Sequence, residues 1–373
     1  MVGAGQLARM THQAAVDLDV ELVVVAESPT DPAVLAGASH IPGGPGDRDA
    51  LFAAAAAAPV VTFDHELVPA ALLAELDAAG VVMRPGPTAL AFAQDKLHAR
   101  RELAAGGYPV PVFAPVAGPG DISAFATAHG WPVVLKARSG GYDGRGVAVL
   151  AGPADIPDLP VADWGTGEQP AWLVEEHLEF AAELAAVVAR RPSGQSVAYP
   201  LVRTTQVDGI CRHLVAPAGV PAELDEAATG LALELAGRIG AVGITAVELF
   251  VTTDGRLLVN ELALRPHNSA HATIEACVTS QFHNHLRAVL DWPLGCTDLV
   301  APAAAMVNLI TPDADADPAG RLPAALGVPG ASVHLYAKTS RPGRKVGHVT
   351  ALAESPDAAL GIAQAAADIL LVR

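Results

Sequence analysis

Basic residues, cysteines and long apolar runs are what this 373-residue chain has least of. Lysine and arginine number 23 against 40 aspartates and glutamates, a formal charge of −17 at pH 7. Neutralising successive phosphates takes clustered cations, so a general nucleic-acid surface is excluded, and any phosphorylated ligand has to meet local Lys or Arg. The three cysteines, Cys211, Cys277 and Cys296, have neither CxxC spacing nor histidines at metal spacing beside them. That excludes a zinc site or a disulfide framework and leaves reduced core or loop thiols. No stretch approaches the roughly 18 uncharged apolar residues of a membrane span, so no membrane partner is expected. The opening "MVGAGQLARM" lacks a basic segment followed by an apolar core and a small-residue cleavage site. The cytoplasm is therefore the expected compartment.

What is present is an apolar, alternating chain long enough for two or three domains, with 51% hydrophobic and 17% charged residues. "GAGQLARMTHQAAVDL" reads as a glycine turn feeding a helix, and residues 21–28 follow as a buried strand. An alanine-dense helix, a strand at residues 60–66, a further helix and "VVMRPGP" repeat the pattern, which predicts a small doubly wound domain over residues 1–87. Such a domain needs a strand running into its glycine turn, so an additional apolar strand upstream of Met1 is expected. Residues 88–107 predict one helix closed by Gly106 and Gly107. A strand-rich stretch follows to about residue 189, then a helix in "AELDEAATGLALELAGRIG" and two strands joined at Asp254-Gly255. The expected division is residues 1–87, 88–298 with a flap at about 110–180, and a small β-rich part at 299–373.

The charged residues within apolar strands carry the chemistry. Lys136 lies in "PVVLKA", three residues before "SGGYDGRG", whose glycines allow backbone amides to approach an anion. A bare surface hairpin would also use those glycines, but Tyr142, Asp143 and Arg145 are poor choices for one. Glu248 and Glu261 sit in two otherwise apolar strands that the Asp-Gly turn brings close, with Asn260 beside the second. Two buried acids repel unless a hard cation such as Mg²⁺ shares them. "LVEEHLEFAAE" holds Glu175, Glu176, Glu179 and Glu183, for which a solvated charge run is the usual explanation. "YAKTSRPGRKVGH" gathers Lys338, Arg341, Arg344, Lys345 and His348 in an acidic protein.

A strand lysine, a glycine-rich flap, an acid after the next strand and paired acids on a later hairpin stand in the order of ATP-grasp enzymes. More closely, "GAGQLARM", "GGYDGRG", "NELALRPHNSAH", "TSQFHNHLRAVL" and "RPGRKVGH" resemble the 5-(carboxyamino)imidazole ribonucleotide synthetases of purine biosynthesis, over nearly the whole chain. The resemblance implies an α/β protein with a doubly wound N-terminal domain, a central ATP-grasp domain and a small C-terminal β-rich domain, working as a homodimer. It implies ATP-dependent carboxylation of aminoimidazole ribonucleotide by bicarbonate, with Mg²⁺, or Mn²⁺ in its place, as metal. Lys96 and Lys136 would then contact ATP phosphates under Gly141, Tyr142, Asp143, Gly144, Arg145 and Gly146. Glu175, Glu176, His177 and Leu178 fall at the adenine, Glu183 at the ribose and Gln206 at a further nucleotide contact. Glu248 and Glu261 match metal ligands supported by Asn260. Arg265, His267 and Lys338 match catalytic positions. Gln6, Leu7, Glu66, Asn268, Ser269, Arg344 and Lys345, with Tyr142, Asp143, Arg145, His267 and Lys338, would line the ribonucleotide pocket. Leu264 and Ala270 stand where the family usually has Pro and Gly. The other readings are a formate-dependent glycinamide ribonucleotide transformylase on the same scaffold, or a non-catalytic nucleotide-binding regulator.

Overall fold

The computed structural model describes residues 1–141, 146–159 and 161–371. At its N-terminal end Val23–Ala26 pairs in parallel with Ser39–Pro42. Val2 bridges in parallel to both Val25 and Phe63, and Val61 bridges on to Met83. The spatial order is thus residues 39–42, 23–26, 2, 61–63 and 83, and it reverses at Val2, where open α/β sheets bind ligands. Residues 60–66 and 81–83, expected as strands, contribute only these bridges. Gly3 turns the chain into helix Gln6–Asp17 with φ +97°, and any Cβ there would collide with the Asp64 carboxylate.

Two antiparallel sheets follow. The first has the order Phe113–Val116, Trp172–Glu176, Val133–Ala137, Val147–Leu150. Helix Pro119–His129 covers it by burying Ile122 and Phe125 against Val116, Val133, Leu135 and Val174. This helix lies inside the stretch read as strand-rich; Ile122, Phe125 and Ala126 supply a helical spacing that the surrounding strands obscure.

The second sheet has nine strands. Across it run Leu257–Ala263, Gly243–Thr252, Phe180–Arg190, Val202–Val207, Ile210–Ala216, Ala303–Thr311, Arg344–Ala353 and Ala331–Leu335, with Ser196–Ala198 beside Phe180–Arg190. Helix Ala222–Arg238 covers it with Ala228, Ala232, Leu235 and Ala236, packed on Leu184, Val188, Val247 and Leu249. Leu264 joins this core at 1% exposure. The C-terminal antiparallel strands are hydrogen-bonded into the same sheet through Ile210–Ala216 and Ala303–Thr311, yet have their own core under helix Pro356–Leu371. Among the described residues no helix is long and apolar enough to cross a membrane.

The single helix expected over residues 88–107 is two, Pro87–Gln94 and Lys96–Ala105. Asp95 breaks it with φ −130° and ψ 100°, and its Oδ1 accepts the His98 N–H at 3.0 Å as an N-cap. Arg138 Nη2 closes on Asp95 Oδ2 at 2.6 Å, and the Lys96 N–H donates to the Arg138 carbonyl at 2.9 Å. These bonds compensate for the interrupted helical ladder and set Lys96 in the first turn of the second helix.

Candidate active site

The two hairpin acids are directly opposed, Glu248 paired with Glu261 in the ladder. Their register then shifts, with Leu249 opposite Val259, so Asn260 is an extra residue on its strand. At such a bulge two residues face one partner, and Asn260 is turned toward the face that Glu248 and Glu261 share instead of the opposite one. Asn260 Nδ2 donates to Glu248 Oε2 at 3.4 Å, and Asn260 Oδ1 accepts from Lys136 Nζ at 3.2 Å. Lys96 Nζ lies 2.9 Å from Glu261 Oε2. Burial, then the charges of Glu261 and Glu183, push the Glu248 carboxyl up to about 7. Gln206 hydrogen-bonds Glu183, whose carboxyl burial raises.

Glu175 is where the structure differs most from the expectation for a single residue. Its side chain is 3% exposed and lies between two cations: Arg100 Nε at 2.6 Å from Oε1 and Lys136 Nζ at 2.6 Å from Oε2. The carboxylate is thereby engaged in fixing Lys136, so what this position can offer an adenine is its main chain. Burial alone would raise this carboxyl, but Arg100 and Lys136 outweigh it and hold it at about 2. The folded value lies below the ordinary 4.5, so the stabilisation is present above pH 4.5 and is lost as pH falls toward 2. The stability difference between wild type and Glu175→Gln is therefore largest above that value and shrinks in acid. Denaturant midpoints of both proteins between about pH 6 and pH 2.5 check this, and a gap that widens in acid contradicts it.

A second cluster forms where the glycine turn, the loop after the hairpin and the C-terminal strands meet. Arg265 Nε donates to Glu66 Oε2 at 3.0 Å, a contact spanning 199 residues of sequence. Lys338 Nζ donates to Gln6 Oε1 and lies 5.7 Å from the centre of the Tyr336 ring. His267 Nε2 stands 3.5 Å from Glu248 Oε1, joining this cluster to the first. Burial, then Arg265 and Lys345, push the His267 imidazole down to about 3, so it stays neutral near pH 7.

Other expected residues are placed differently. Leu7 packs into the N-terminal core at 8% exposure, so its side chain is unsuited to lining a pocket. Asn268 exchanges amide hydrogen bonds with Asn308 at 2.8 and 2.9 Å, and buried Ser269 bonds His267 Nδ1 through Oγ at 2.8 Å. Both therefore brace the His267 loop. Glu176 accepts the Val112 N–H at 2.9 Å. Arg344 donates to the Thr339 carbonyl and hydroxyl at 3.1 and 2.9 Å, which shapes the basic loop. His177, Leu178 and Gly141 lie on the connections beside Trp172–Glu176 and Val133–Ala137. Tyr142, Asp143, Gly144 and Arg145 lie outside the described residues. Gly146 has φ +72° and would place a Cβ 2.9 Å from that of Ala137. Sequence reasoning missed Arg100 and Asp95. Arg100 follows Lys96 at helical i,i+4 spacing, and the "QD-K" junction carries an N-cap signal; those were the available clues.

Paired acids on a hairpin, two lysines converging on them from a helix start and a neighbouring sheet, and a doubly wound domain alongside define a ligase of the ATP-grasp class. Comparison with known proteins agrees along the chain. The ribonucleotide synthetase preATP-grasp domain matches residues 1–94, the ATP-grasp domain residues 101–282, and the phosphoribosylaminoimidazole carboxylase C-terminal domain residues 304–361. The N5-carboxyaminoimidazole ribonucleotide synthase of Mycobacterium tuberculosis is 50% identical over 358 residues, covering 94% of this chain and 82% of its own. That of Corynebacterium ammoniagenes is 41% identical over 382 residues, covering 100% of this chain and 91% of its own. Among solved structures, the Aspergillus clavatus synthase in complex with ADP and 5-aminoimidazole ribonucleotide superposes with a TM-score of 0.89 at 30% identity, over 99% of this chain and 97% of that one. The Thermotoga maritima synthetase gives 0.87 at 33% identity, over 99% and 97%. The chain belongs to the N5-carboxyaminoimidazole ribonucleotide synthase family.

Proposed function

We propose that this chain uses ATP to join bicarbonate carbon to the exocyclic amine of aminoimidazole ribonucleotide. The observation that carries the reading is His267, which stands 3.5 Å from the hairpin acid Glu248 and in the same loop as Arg265. That contact joins the two clusters, which supports a site for a small anion and a ribonucleotide beside the face that would receive the triphosphate. In the reaction a bicarbonate oxygen attacks the γ-phosphorus and ADP leaves. The amine, or a step through released carbon dioxide, then takes the carboxyl group, with loss of phosphate and of one amine proton. No protein nucleophile is required, because phosphoryl transfer depends on positioning and charge.

Lys96 and Lys136 supply cations to the transferring phosphate, and Glu175 with Arg100 holds Lys136 in place. Mg²⁺ fits the donor set: the carboxylates of Glu248 and Glu261 and the amide oxygen of Asn260 are hard oxygen donors on one hairpin face. Among the described residues no three His, Cys, Asp or Glu side chains form a self-sufficient metal cluster. Two carboxylates completed by phosphate oxygens are the arrangement Mg²⁺ commonly takes in phosphoryl-transfer sites. When bound, it neutralises charge building on the transferring phosphoryl group. Arg265 and neutral His267 orient the anion, and Gln6, Lys338 and Lys345 would receive the ribonucleotide with its 5-phosphate. A homodimer and a cytoplasmic setting belong to the same reading.

Phosphate release measured with aminoimidazole ribonucleotide or glycinamide ribonucleotide, each with bicarbonate, with formate and with neither, tests it. Release that depends jointly on aminoimidazole ribonucleotide and bicarbonate is expected; release with glycinamide ribonucleotide and formate instead would overturn it. In the same assay Lys338→Ala raises the KM for the ribonucleotide about tenfold or more and leaves that for ATP nearly unchanged, the effect of one lost charge-assisted phosphate contact. Equal effects on both substrates would move Lys338 away from the ribonucleotide.

A further inference from the structure

Gln281 begins helix Gln281–Val289, is 0% exposed, and has no role in the site as described so far. Its amide meets both backbone polar groups of His267. Oε1 accepts the His267 N–H at 2.8 Å, and Nε2 donates to the His267 carbonyl at 2.8 Å. A backbone N–H only donates and a carbonyl only accepts, so this pair of bonds determines which end of the amide is which. Nε2 also lies 3.0 Å from Nδ1 of His271, itself fully buried. With its orientation set by His267, the amide donates there, so His271 accepts at Nδ1 and carries its proton on Nε2. The main chain adds a further tie. The Gln281 N–H donates to Thr273 Oγ1 at 2.9 Å, and the Thr273 hydroxyl donates to the Ala270 carbonyl at 2.6 Å.

The loop from His267 to Thr273 is thus bound to one buried side chain and one helix start. Behind it lies a buried cluster in which Nε2 of His271 and Nε2 of His348 have no hydrogen-bond partner among the described residues. The His271 ring centre is 5.2 Å from that of His348, whose Nδ1 is 2.7 Å from the Tyr336 hydroxyl. Burial holds both histidines well below their ordinary range.

On the function proposed above, we propose that Gln281 is a positioning residue for the carboxylation: it grips the His267 main chain, setting where the imidazole stands against Glu248, and it dictates the tautomer of His271. Being fully buried, it meets no substrate itself. A misplacement of His267 affects the chemical step, whereas the lysines that hold ATP sit on other elements, the helix Lys96–Ala105 and the strand Val133–Ala137.

Gln281→Glu keeps the size and the acceptor for the His267 N–H but removes both donors. In the folded variant kcat for phosphate release with aminoimidazole ribonucleotide and bicarbonate falls about tenfold or more, while the KM for ATP changes less than about twofold. Nitrogen NMR of ¹⁵N-histidine-labelled protein shows the His271 proton on Nε2 in wild type and on Nδ1 in the variant. A folded variant with wild-type kcat, or wild-type protein with the His271 proton on Nδ1, overturns the inference. The wild-type spectrum requires neither a substrate nor a stable variant, so it tests the Gln281 geometry even if the variant fails to fold or another ribonucleotide proves to be the substrate.

Discussion

Glu248→Gln reduces ATP-dependent phosphate release to about one hundredth of wild type or less, and in the absence of divalent cations the same variant unfolds at a higher temperature than wild type. The two effects have one cause. Glu248 is only 26% exposed, faces Glu261 across the ladder, and is pushed up to about 7 by burial and by the charges of Glu261 and Glu183. Its ionised form is a liability to the fold, tolerable when a cation is shared. Glutamine removes the repulsion and keeps an oxygen that can accept from Asn260 Nδ2, so the metal-free fold gains. It also removes one of the two anionic ligands proposed for Mg²⁺, which would leave charge on the transferring phosphoryl group poorly neutralised. Phosphate release across a Mg²⁺ titration, with thermal melts in chelator, measures both. Near-wild-type release at limiting Mg²⁺ would sink the metal assignment, and a lower melting temperature in chelator would sink the account of the repulsion.

Arg100→Met produces the largest loss of stability expected from a single change in this site, about 3–5 kcal/mol. Arg100 and Glu175 are 4% and 3% exposed and lie 2.6 Å apart. Methionine fills much of the volume but leaves the carboxylate with Lys136 as its remaining cation, 2.6 Å from Oε2. Removing one partner of a buried ion pair costs more than the pair contributes, because the remaining charge keeps its desolvation penalty. Lys136 is then drawn more strongly to Glu175, and on its proposed role toward phosphate the KM for ATP rises with the loss of stability. The double variant Arg100→Met/Glu175→Met removes the stranded carboxylate and recovers part of the stability, but leaves Lys136, 12% exposed, without its anion and the KM high. Urea midpoints and ATP saturation curves on the three proteins decide this. An Arg100→Met protein as stable as wild type, or a double variant no more stable than the single, would contradict the buried-triad account.

Much of the site was legible because its chemistry uses residue types that are conspicuous in their local context. Lys136 and Glu248 stand out within apolar strands, the Asp254-Gly255 turn announces the hairpin, and its two-strand period brings Glu248 near Glu261. The resemblance of the ordered motifs to one ligase family carried the identification, and the α/β alternation of the first domain was readable from strand and helix periods alone. Local pattern decides such features because period, turn chemistry and side-chain polarity are properties of neighbours in the chain.

What the tertiary structure alone decided are the meetings between distant segments. The extra residue at Asn260 became visible only when Glu248 was seen opposite Glu261 and Leu249 opposite Val259. The break at Asp95 was missed because Arg138, a residue of another segment, helps to stabilise it. Glu175 reads as part of a solvated acidic run or, by resemblance, as an adenine contact, and nothing near it in sequence reveals that Arg100 and Lys136 close on its two oxygens. Gln281 and His267 are 14 residues apart, and the pairing of an amide with two backbone groups leaves no trace in composition. A side chain's type follows from the sequence. Whether it faces substrate or holds another residue depends on which donors, acceptors and charges the packed chain brings within about 3 Å of it.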